Sequence, residues 1–211
     1  MTRGVVLHLE HHVRRLVRDA EQLALGALAP AAVRAALVGL AARAFPDAEG
    51  VIRLEAQVGP SPGAAPVLCE ATRPLGPEPD VWTAVLAREP HPGPSPWSAA
   101  KTCERTAYER ALAEATAAGA DEALLADAAG FLVEGARTSL VVALASGALV
   151  TPPLARGAQA WIGRTLLLER SGALHEADVA IAALAEAREL IAVNAVRGPR
   201  PVVAVGGRPV G

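Results

Sequence analysis

The basic residues of this 211-residue chain are almost all arginines. Lysine and arginine together number 20, and Lys101 is the single lysine. A guanidinium does not lose its proton in proteins, so arginine cannot supply the neutral amine that attacks a carbonyl or removes a proton. Arginine occupies every other basic position of the chain. Lys101 therefore either performs amine chemistry or has remained a lysine by chance, and the neighbouring motifs distinguish these two interpretations.

Several short motifs surround Lys101 in a fixed order. They are His12-Val-Arg-Arg-Leu16 upstream, the lysine segment Ser98–Arg105, Gly119-Ala-Asp-Glu-Ala-Leu-Leu125, Gly130-Phe-Leu-Val-Glu-Gly135, Thr151-Pro-Pro153 and the loop from Gly157 to Arg164. In order and spacing these motifs resemble those of the class IV aminotransferases, the pyridoxal phosphate (PLP) enzymes of fold type IV. The resemblance covers nearly the whole chain.

The resemblance implies the two central roles. Lys101 would bond covalently to PLP and later move the substrate proton, tasks that suit an amine of lowered pKa. Glu134 would pair with the pyridine nitrogen and keep it protonated, which makes the ring a better electron sink. The structural alternative for Glu134 is a solvated glutamate in a hairpin turn. The correctly spaced lysine upstream favours the functional role.

The resemblance also implies the phosphate ligands. Arg15 would bind the cofactor phosphate through the fork of donors that a guanidinium offers; the alternative is a solvated helix face, since Arg14 and Arg18 lie beside it. Ile162 and Gly163 would donate backbone N–H groups to the same phosphate at the start of a helix. Trp161 and Gly163 replace the usual Gly and Thr of this loop.

The C-terminal segment favours one member of the family. Asn194-Ala-Val-Arg197-Gly followed by Pro201-Val202 resembles the aminodeoxychorismate lyases, which convert 4-amino-4-deoxychorismate to 4-aminobenzoate and pyruvate in folate biosynthesis. Arg197 would then bind a substrate carboxylate. Two alternatives stay open: a class IV aminotransferase acting on branched-chain or D-amino acids, and a truncated, non-catalytic relative. The last arises because family members carry further strands before the His-x-x-Arg-Leu helix, and Met1 falls almost on that helix.

The elements that would position these residues form an α+β, two-domain chain similar to D-amino acid aminotransferase, with a truncated small domain. Periodicity predicts helices at 9–28, 31–44, 98–118, 161–170 and 179–187, and strands at 51–58, 67–71, 81–87, 122–126, 131–134, 138–144, 148–151, 190–193 and 202–205. Four prolines and a glycine between Arg88 and Trp97 predict a connector. The expected domains are an incomplete small α/β domain at 1–90, a linker at 91–97 and a larger PLP-binding domain at 98–211.

The charge and hydropathy of the chain limit the classes of partner that it can bind. A net charge of −2 gives no basic surplus for nucleic acid, and every apolar run is shorter than a membrane span. We expect a cytoplasmic protein with a small-molecule amino substrate, no nucleic acid or membrane partner, and, from the resemblance, a homodimer. His8 and His12 have the i, i+4 spacing of a zinc pair, but no third ligand is evident, so no metal is expected. Cys69 and Cys103 predict no disulfide framework.

Overall fold

The computed structural model describes residues 4–61 and 63–211, and the chain divides into two compact units, Met1–Glu78 and Pro79–Gly211. The elements of the first unit are α1 (Leu9–Gln22), α2 (Pro30–Ala44), β1 (Gly50–Gln57) and β2 (Val67–Pro74). The strands pair antiparallel, from Gly50 opposite Pro74 to Gln57 opposite Val67. The helix predicted at 31–44 and the strands at 51–58 and 67–71 are thereby confirmed.

The core of the first unit comes from the apolar faces of its two helices. Val33 and Leu37, one turn apart on α2, are buried together with Val13 of α1, and Ile52 and Leu54 of β1 pack against them. A spacing of four residues places side chains on the same face of a helix, which is why α2 presents a continuous apolar surface.

The first helix is shorter than its pattern predicts. α1 ends at Gln22, and Ala24 takes a left-handed φ of 53° just beyond it. The apolar residues up to Leu28 therefore belong to the connection that leads to α2, where Leu28 still packs on the core. An apolar loop residue that packs on the core can fall at the helical spacing by position alone, so the apolar pattern extends beyond the end of the helix.

The second unit is built on one large sheet. Its elements are β3 (Trp82–Leu86), α3 (Thr106–Ala117), β4 (Glu122–Ala126), β5 (Leu132–Gly135), β6 (Ser139–Ala143), β7 (Leu149–Thr151), α4 (Ile162–Arg170), β8 (Leu174–Glu176), β9 (Glu189–Asn194), β10 (Gly198–Val205) and β11 (Arg208–Pro209). The strand order is β5-β4-β3-β10-β9-β6-β7-β8, with β11 beside β10. β3 pairs parallel with β4 and β10, and β7 with β8; the other pairs are antiparallel.

β4 shows how the sheet is buried on both faces. Successive side chains of a strand point to opposite faces. Leu124 joins the larger apolar cluster with Trp82 and Leu132, whereas Ala123 and Leu125 lie in a second cluster beneath α3. The run Glu-Ala-Leu-Leu-Ala is therefore nearly all apolar rather than alternating, as expected for a central strand.

The division between the units lies earlier than the predicted connector. β3 pairs with β4 and β10, which makes it part of the second unit. The proline-rich segment 91–97 lies inside that unit, where the backbone N–H of His91 donates to the carbonyl of Ala126. Proline composition indicated an irregular segment correctly, but strand pairing sets the boundary between Glu78 and Pro79.

Two helix predictions need correction. The segment 179–187 forms only a short 3-10 helix, Ile181–Ala185, and residues 98–105 precede α3 as loop. Within residues 4–61 and 63–211, no helix is both long and apolar enough to cross a membrane. The same residues contain no group of three or more His, Cys, Asp or Glu side chains that could hold a metal ion.

Candidate active site

Glu134 is a buried carboxylate near the end of β5. Its side chain is 0% exposed, and it stands opposite Leu125 of β4 in the antiparallel register. Residues paired across two strands point to the same face of a sheet, and Leu125 belongs to the cluster beneath α3. The carboxylate therefore points into the space between the sheet and α3, where a buried charge requires hydrogen-bond donors.

Three donors meet this carboxylate. The Tyr108 hydroxyl lies 2.6 Å from Oε1, the indole Nε1 of Trp161 lies 2.6 Å from Oε2, and the backbone N of Gln159 lies 3.1 Å from Oε2. All three groups donate, so together they supply the hydrogen-bond partners that burial would otherwise deny to the Glu134 carboxylate. Both oxygens of the carboxylate are thus oriented by residues from α3 and from the loop before α4.

His91 extends the network behind Tyr108. The backbone N–H of Gly93 donates to Nδ1 of His91 at 3.0 Å, which assigns the ring proton to Nε2. Nε2 lies 3.0 Å from the Tyr108 hydroxyl oxygen and 3.5 Å from Oε1 of Glu134. Burial, and next the Glu134 charge, raise the pKa of Tyr108 well above its ordinary value, so its hydroxyl keeps the proton that it donates.

Lys101 lies in the loop before α3, not on the predicted helix. The Thr102 hydroxyl donates to the carbonyl of Glu104, and the Glu104 carboxylate accepts from the backbone N–H of Thr106, the first residue of α3. Lys101 is an exposed residue, yet its Nζ lies 4.0 Å from the centroid of the Trp161 ring. The loop therefore brings the lysine over the face of the indole, whose ring N–H donates to Glu134.

Ile162 and Gly163 are the first two residues of α4, as the motif predicts. The first N–H groups of a helix have no intrahelical partner, and the helix dipole favours an anion beside them. A Cβ on Gly163 would lie 2.9 Å from Val193 Cγ2 and 3.3 Å from the Asn194 backbone. Glycine thus permits the close approach of α4 to β9, and the phosphate role of both residues stays a prediction.

The two arginines assigned from the resemblance lie in different units. Arg15 is a half-buried residue of α1 in the first unit, and burial lowers its pKa while Asp19 opposes that effect. Arg197 lies in the turn between β9 and β10, where its backbone N–H donates to Oδ1 of Asn194 at 2.8 Å. Arg197 therefore follows the segment that α4 approaches, and both binding roles stay predictions.

Sequence reasoning missed Tyr108, His91 and Arg105 as members of this site. The Arg105 guanidinium stacks 4.6 Å from the Tyr108 ring centroid and 5.6 Å from that of Trp161. Tyr108 carried a usable signal, since it is the single tyrosine of the chain and follows Lys101 within two helical turns. His91, inside the proline-rich segment, carried none, because only folding brings it to Glu134.

Comparison with known proteins identifies the family and the fold of the chain. The family model for amino-transferase class IV matches residues 1–205. The fold is similar to a hypothetical aminotransferase from Mycobacterium tuberculosis (TM-score 0.85, 22% identity, 99% of this chain and 79% of that chain). It is also similar to a proposed amino-acid aminotransferase from Mesorhizobium loti (TM-score 0.80, 28% identity, 94% and 92%). No curated protein sequence matches.

A third similar structure is the branched-chain aminotransferase of Thermoproteus uzoniensis with norvaline, with a TM-score of 0.83 and 25% identity over 96% of this chain and 73% of that chain. A buried carboxylate and a lysine that both contact the Trp161 indole, in an α+β fold of type IV, are typical of a PLP-dependent class of enzyme. The chain belongs to the class IV aminotransferase family.

The chemical groups around Glu134 fit PLP, but a side chain of the protein already occupies one of the hydrogen-bonding positions. Glu134 can accept from a pyridine N–H, Lys101 supplies the amine, and the start of α4 supplies backbone donors for a phosphate. Oε2 of Glu134, however, already accepts from the Trp161 indole, which is 7% exposed. The residues needed to hold the cofactor are present, and an aromatic side chain of the protein lies among them.

Proposed function

We propose that this chain is a PLP-dependent enzyme acting on the amino group of a small molecule, with Lys101 as the covalent attachment point and proton carrier. The observation that supports it most is the pairing of Glu134 and Lys101 on one aromatic ring. Glu134 accepts the ring N–H at 2.6 Å, and Lys101 Nζ lies 4.0 Å from the ring centroid. A pyridine ring needs the same two neighbours.

When bound, PLP withdraws electrons from the bonds next to the substrate nitrogen. Glu134, fixed by Tyr108 and Gln159, would hold the ring nitrogen in its protonated state. Lys101 Nζ would take up and return a proton, a role that suits its position because Lys101 is exposed and lies in the loop before α3. The N–H groups of Ile162 and Gly163 would bind the phosphate, and the phosphate role of Arg15 stays a prediction from the resemblance.

The specific reaction we propose is conversion of 4-amino-4-deoxychorismate to 4-aminobenzoate and pyruvate. The Asn-Ala-Val-Arg-Gly segment supports it, and it forms the turn between β9 and β10 with Arg197 at its end. Lys101 would remove the ring proton, the C–O bond to the enolpyruvyl group would break, and the ring would become aromatic. The proton would return to the leaving enolpyruvate, which then becomes pyruvate. Arg197 would bind a substrate carboxylate, so Arg197→Gln should raise KM far more than it lowers kcat.

A second candidate is amino-group transfer, because similar structures include the branched-chain aminotransferase solved with norvaline and the Mycobacterium tuberculosis protein solved with PLP and with α-ketoglutarate and PMP. An aminotransferase converts an amino acid to its keto acid without a second substrate, once per site. Keto acid release and loss of the visible cofactor band on adding valine or D-alanine alone would favour transfer.

The deciding experiment uses purified protein with PLP, as wild type, Lys101→Ala and Lys101→Arg. We expect a visible band and, after borohydride reduction, a pyridoxyl adduct on Lys101 in the wild type only. Lys101→Arg is the matched control, because it keeps the charge and removes the neutral amine. With aminodeoxychorismate, the lyase should release 4-aminobenzoate and pyruvate in equal amounts. Absence of PLP binding in every form, including variants at Trp161, would contradict the proposal.

The proposal also includes a homodimer and a cytoplasmic location.

A further inference from the structure

We propose that the Trp161 indole takes the position of the cofactor ring, so that the protein closes its own site and PLP binds only after this side chain rotates away. The inference rests on the proposed function, since it assumes that Glu134 and Lys101 serve PLP. Trp161 stands where the family motif carries glycine, a residue with no side chain to enter the site.

The indole satisfies the same requirements as a protonated pyridine ring. It is planar and aromatic, and its N–H donates to Oε2 of Glu134 at 2.6 Å. Lys101 lies over its face at 4.0 Å, a cation–π distance, and the Arg105 guanidinium lies 5.6 Å from its centroid. Oε2 can accept two hydrogen bonds, and the indole N–H and the Gln159 N–H already use both, so a pyridine N–H can bind this oxygen only after the indole leaves.

The backbone around Trp161 is held in place on both sides. Gln159 donates its backbone N–H to Glu134, and Trp161 itself caps α4, whose Thr165 N–H bonds to the Trp161 carbonyl at 3.0 Å. Further back, Arg156 binds both Asp178 and Asp127 at the start of the loop. Opening is therefore a rotation of the Trp161 side chain rather than a movement of the loop.

The closed form weakens cofactor binding because PLP can bind only those molecules in which the Trp161 side chain has rotated away. The apparent dissociation constant equals the intrinsic one divided by that fraction. A buried ring that also hydrogen-bonds a charge keeps the open form rare, and we expect roughly 10- to 100-fold weaker PLP binding than in a chain without the indole.

The test compares wild type, Trp161→Gly and Trp161→Phe in PLP titrations followed by visible absorbance, with reduction and peptide mapping at Lys101. Trp97→Phe is the matched control, because Trp97 is 51% exposed and does not contact Glu134. We expect at least tenfold tighter binding by Trp161→Gly, a smaller gain for Trp161→Phe, which keeps a ring but loses the N–H, and no change for Trp97→Phe. Circular dichroism checks that each variant folds. If Trp161→Gly does not fold, the comparison of Trp161→Phe with the wild type still tests the inference.

A second measurement needs no cofactor. In the protein without PLP, the Trp161 indole N–H should exchange with solvent at least tenfold more slowly than that of Trp97 in proton NMR, and the PLP-bound wild type should lose this protection. Equal PLP affinity of wild type and both Trp161 variants, with adducts on Lys101, would overturn the closed-site inference and leave the proposed function standing. No PLP binding by any form would overturn the proposed function and the competition together. Rapid exchange at Trp161 without PLP would overturn the closed geometry alone.

Discussion

The hydroxyl of Tyr108 donates a hydrogen bond to Oε1 of Glu134 at 2.6 Å, 26 residues further along the chain. This contact joins α3 to β5 and fixes one oxygen of a carboxylate that has no contact with solvent. The other oxygen is thereby turned toward the Trp161 indole and the Gln159 N–H. Tyr108 therefore acts as a positioning residue for Glu134.

Removing this hydroxyl should destabilise the protein. Tyr108→Phe keeps the buried ring but leaves Oε1 of Glu134 and Nε2 of His91 each without this partner, and we expect a loss of about 1–3 kcal/mol in the free energy of unfolding. Urea denaturation measures it. Thr116→Ala is the control, since it removes an exposed hydroxyl that bonds only a helix carbonyl and should change stability by less than about 0.5 kcal/mol. Equal effects of the two substitutions would contradict the role of Tyr108.

The single tyrosine also gives a direct pH readout. Burial, and then the Glu134 charge, raise the pKa of Tyr108 above its ordinary value, so the folded protein should show no tyrosinate absorbance up to about pH 11. Above about pH 10 the unfolded state loses this proton while the folded state keeps it, so stability should fall as pH rises. Tyr108→Phe should lack this decrease. A normal titration near pH 10 in folded protein would place Tyr108 in contact with water.

A second buried glutamate predicts a pH dependence at the acid end. Glu122 is 0% exposed, and burial raises its pKa although Thr138 Oγ1 donates to it at 2.8 Å. As pH rises above the ordinary value of 4.5, the unfolded state loses the proton first and the folded state is penalised until it also ionises. The wild type should therefore lose stability relative to Glu122→Gln between pH 4.5 and neutrality. Parallel unfolding curves for the two proteins across this range would refute it.

Gly157 should not tolerate a side chain. Its φ is 100°, and a Cβ would lie 2.6 Å from the carbonyl carbon and oxygen of Gly93. Gly157→Ala should cost about 2–4 kcal/mol, the sum of left-handed strain and a backbone clash. Gly119→Ala isolates the first effect, because Gly119 has a φ of 70° with nothing within 4 Å, and should cost about 1–2 kcal/mol. Thermal unfolding of both variants measures the difference, and equal values would mean that the two loops do not touch.

Most elements of the fold were predictable from local pattern. Proline at the start of α2, the alternation in β1 and the Ser-Gly turn before β7 each act within a few residues, and the structure confirms those elements. Prediction from local pattern was wrong where contacts between residues further apart in the sequence compete with helix formation. Residues 98–105 have helical composition, yet the Ser98 hydroxyl donates to the carbonyl of Gly93, and the Glu104 carboxylate accepts from the backbone N–H of Thr106. The helix therefore begins later, at Thr106.

For the candidate site, the resemblance to the family motifs predicts Lys101 and Glu134, because residue type and motif spacing can be read from the chain itself, and their roles stay predictions. It could not reveal that Trp161, Tyr108 and His91 converge on Glu134. Those contacts join segments separated by 26 to 43 residues, and the pairing of β4 with β5 and the packing of α3 on the sheet bring them together. Directional hydrogen bonds between distant side chains exist only after the backbone is folded, so only the tertiary structure shows that Trp161, at the family's glycine position, donates its indole N–H to Glu134.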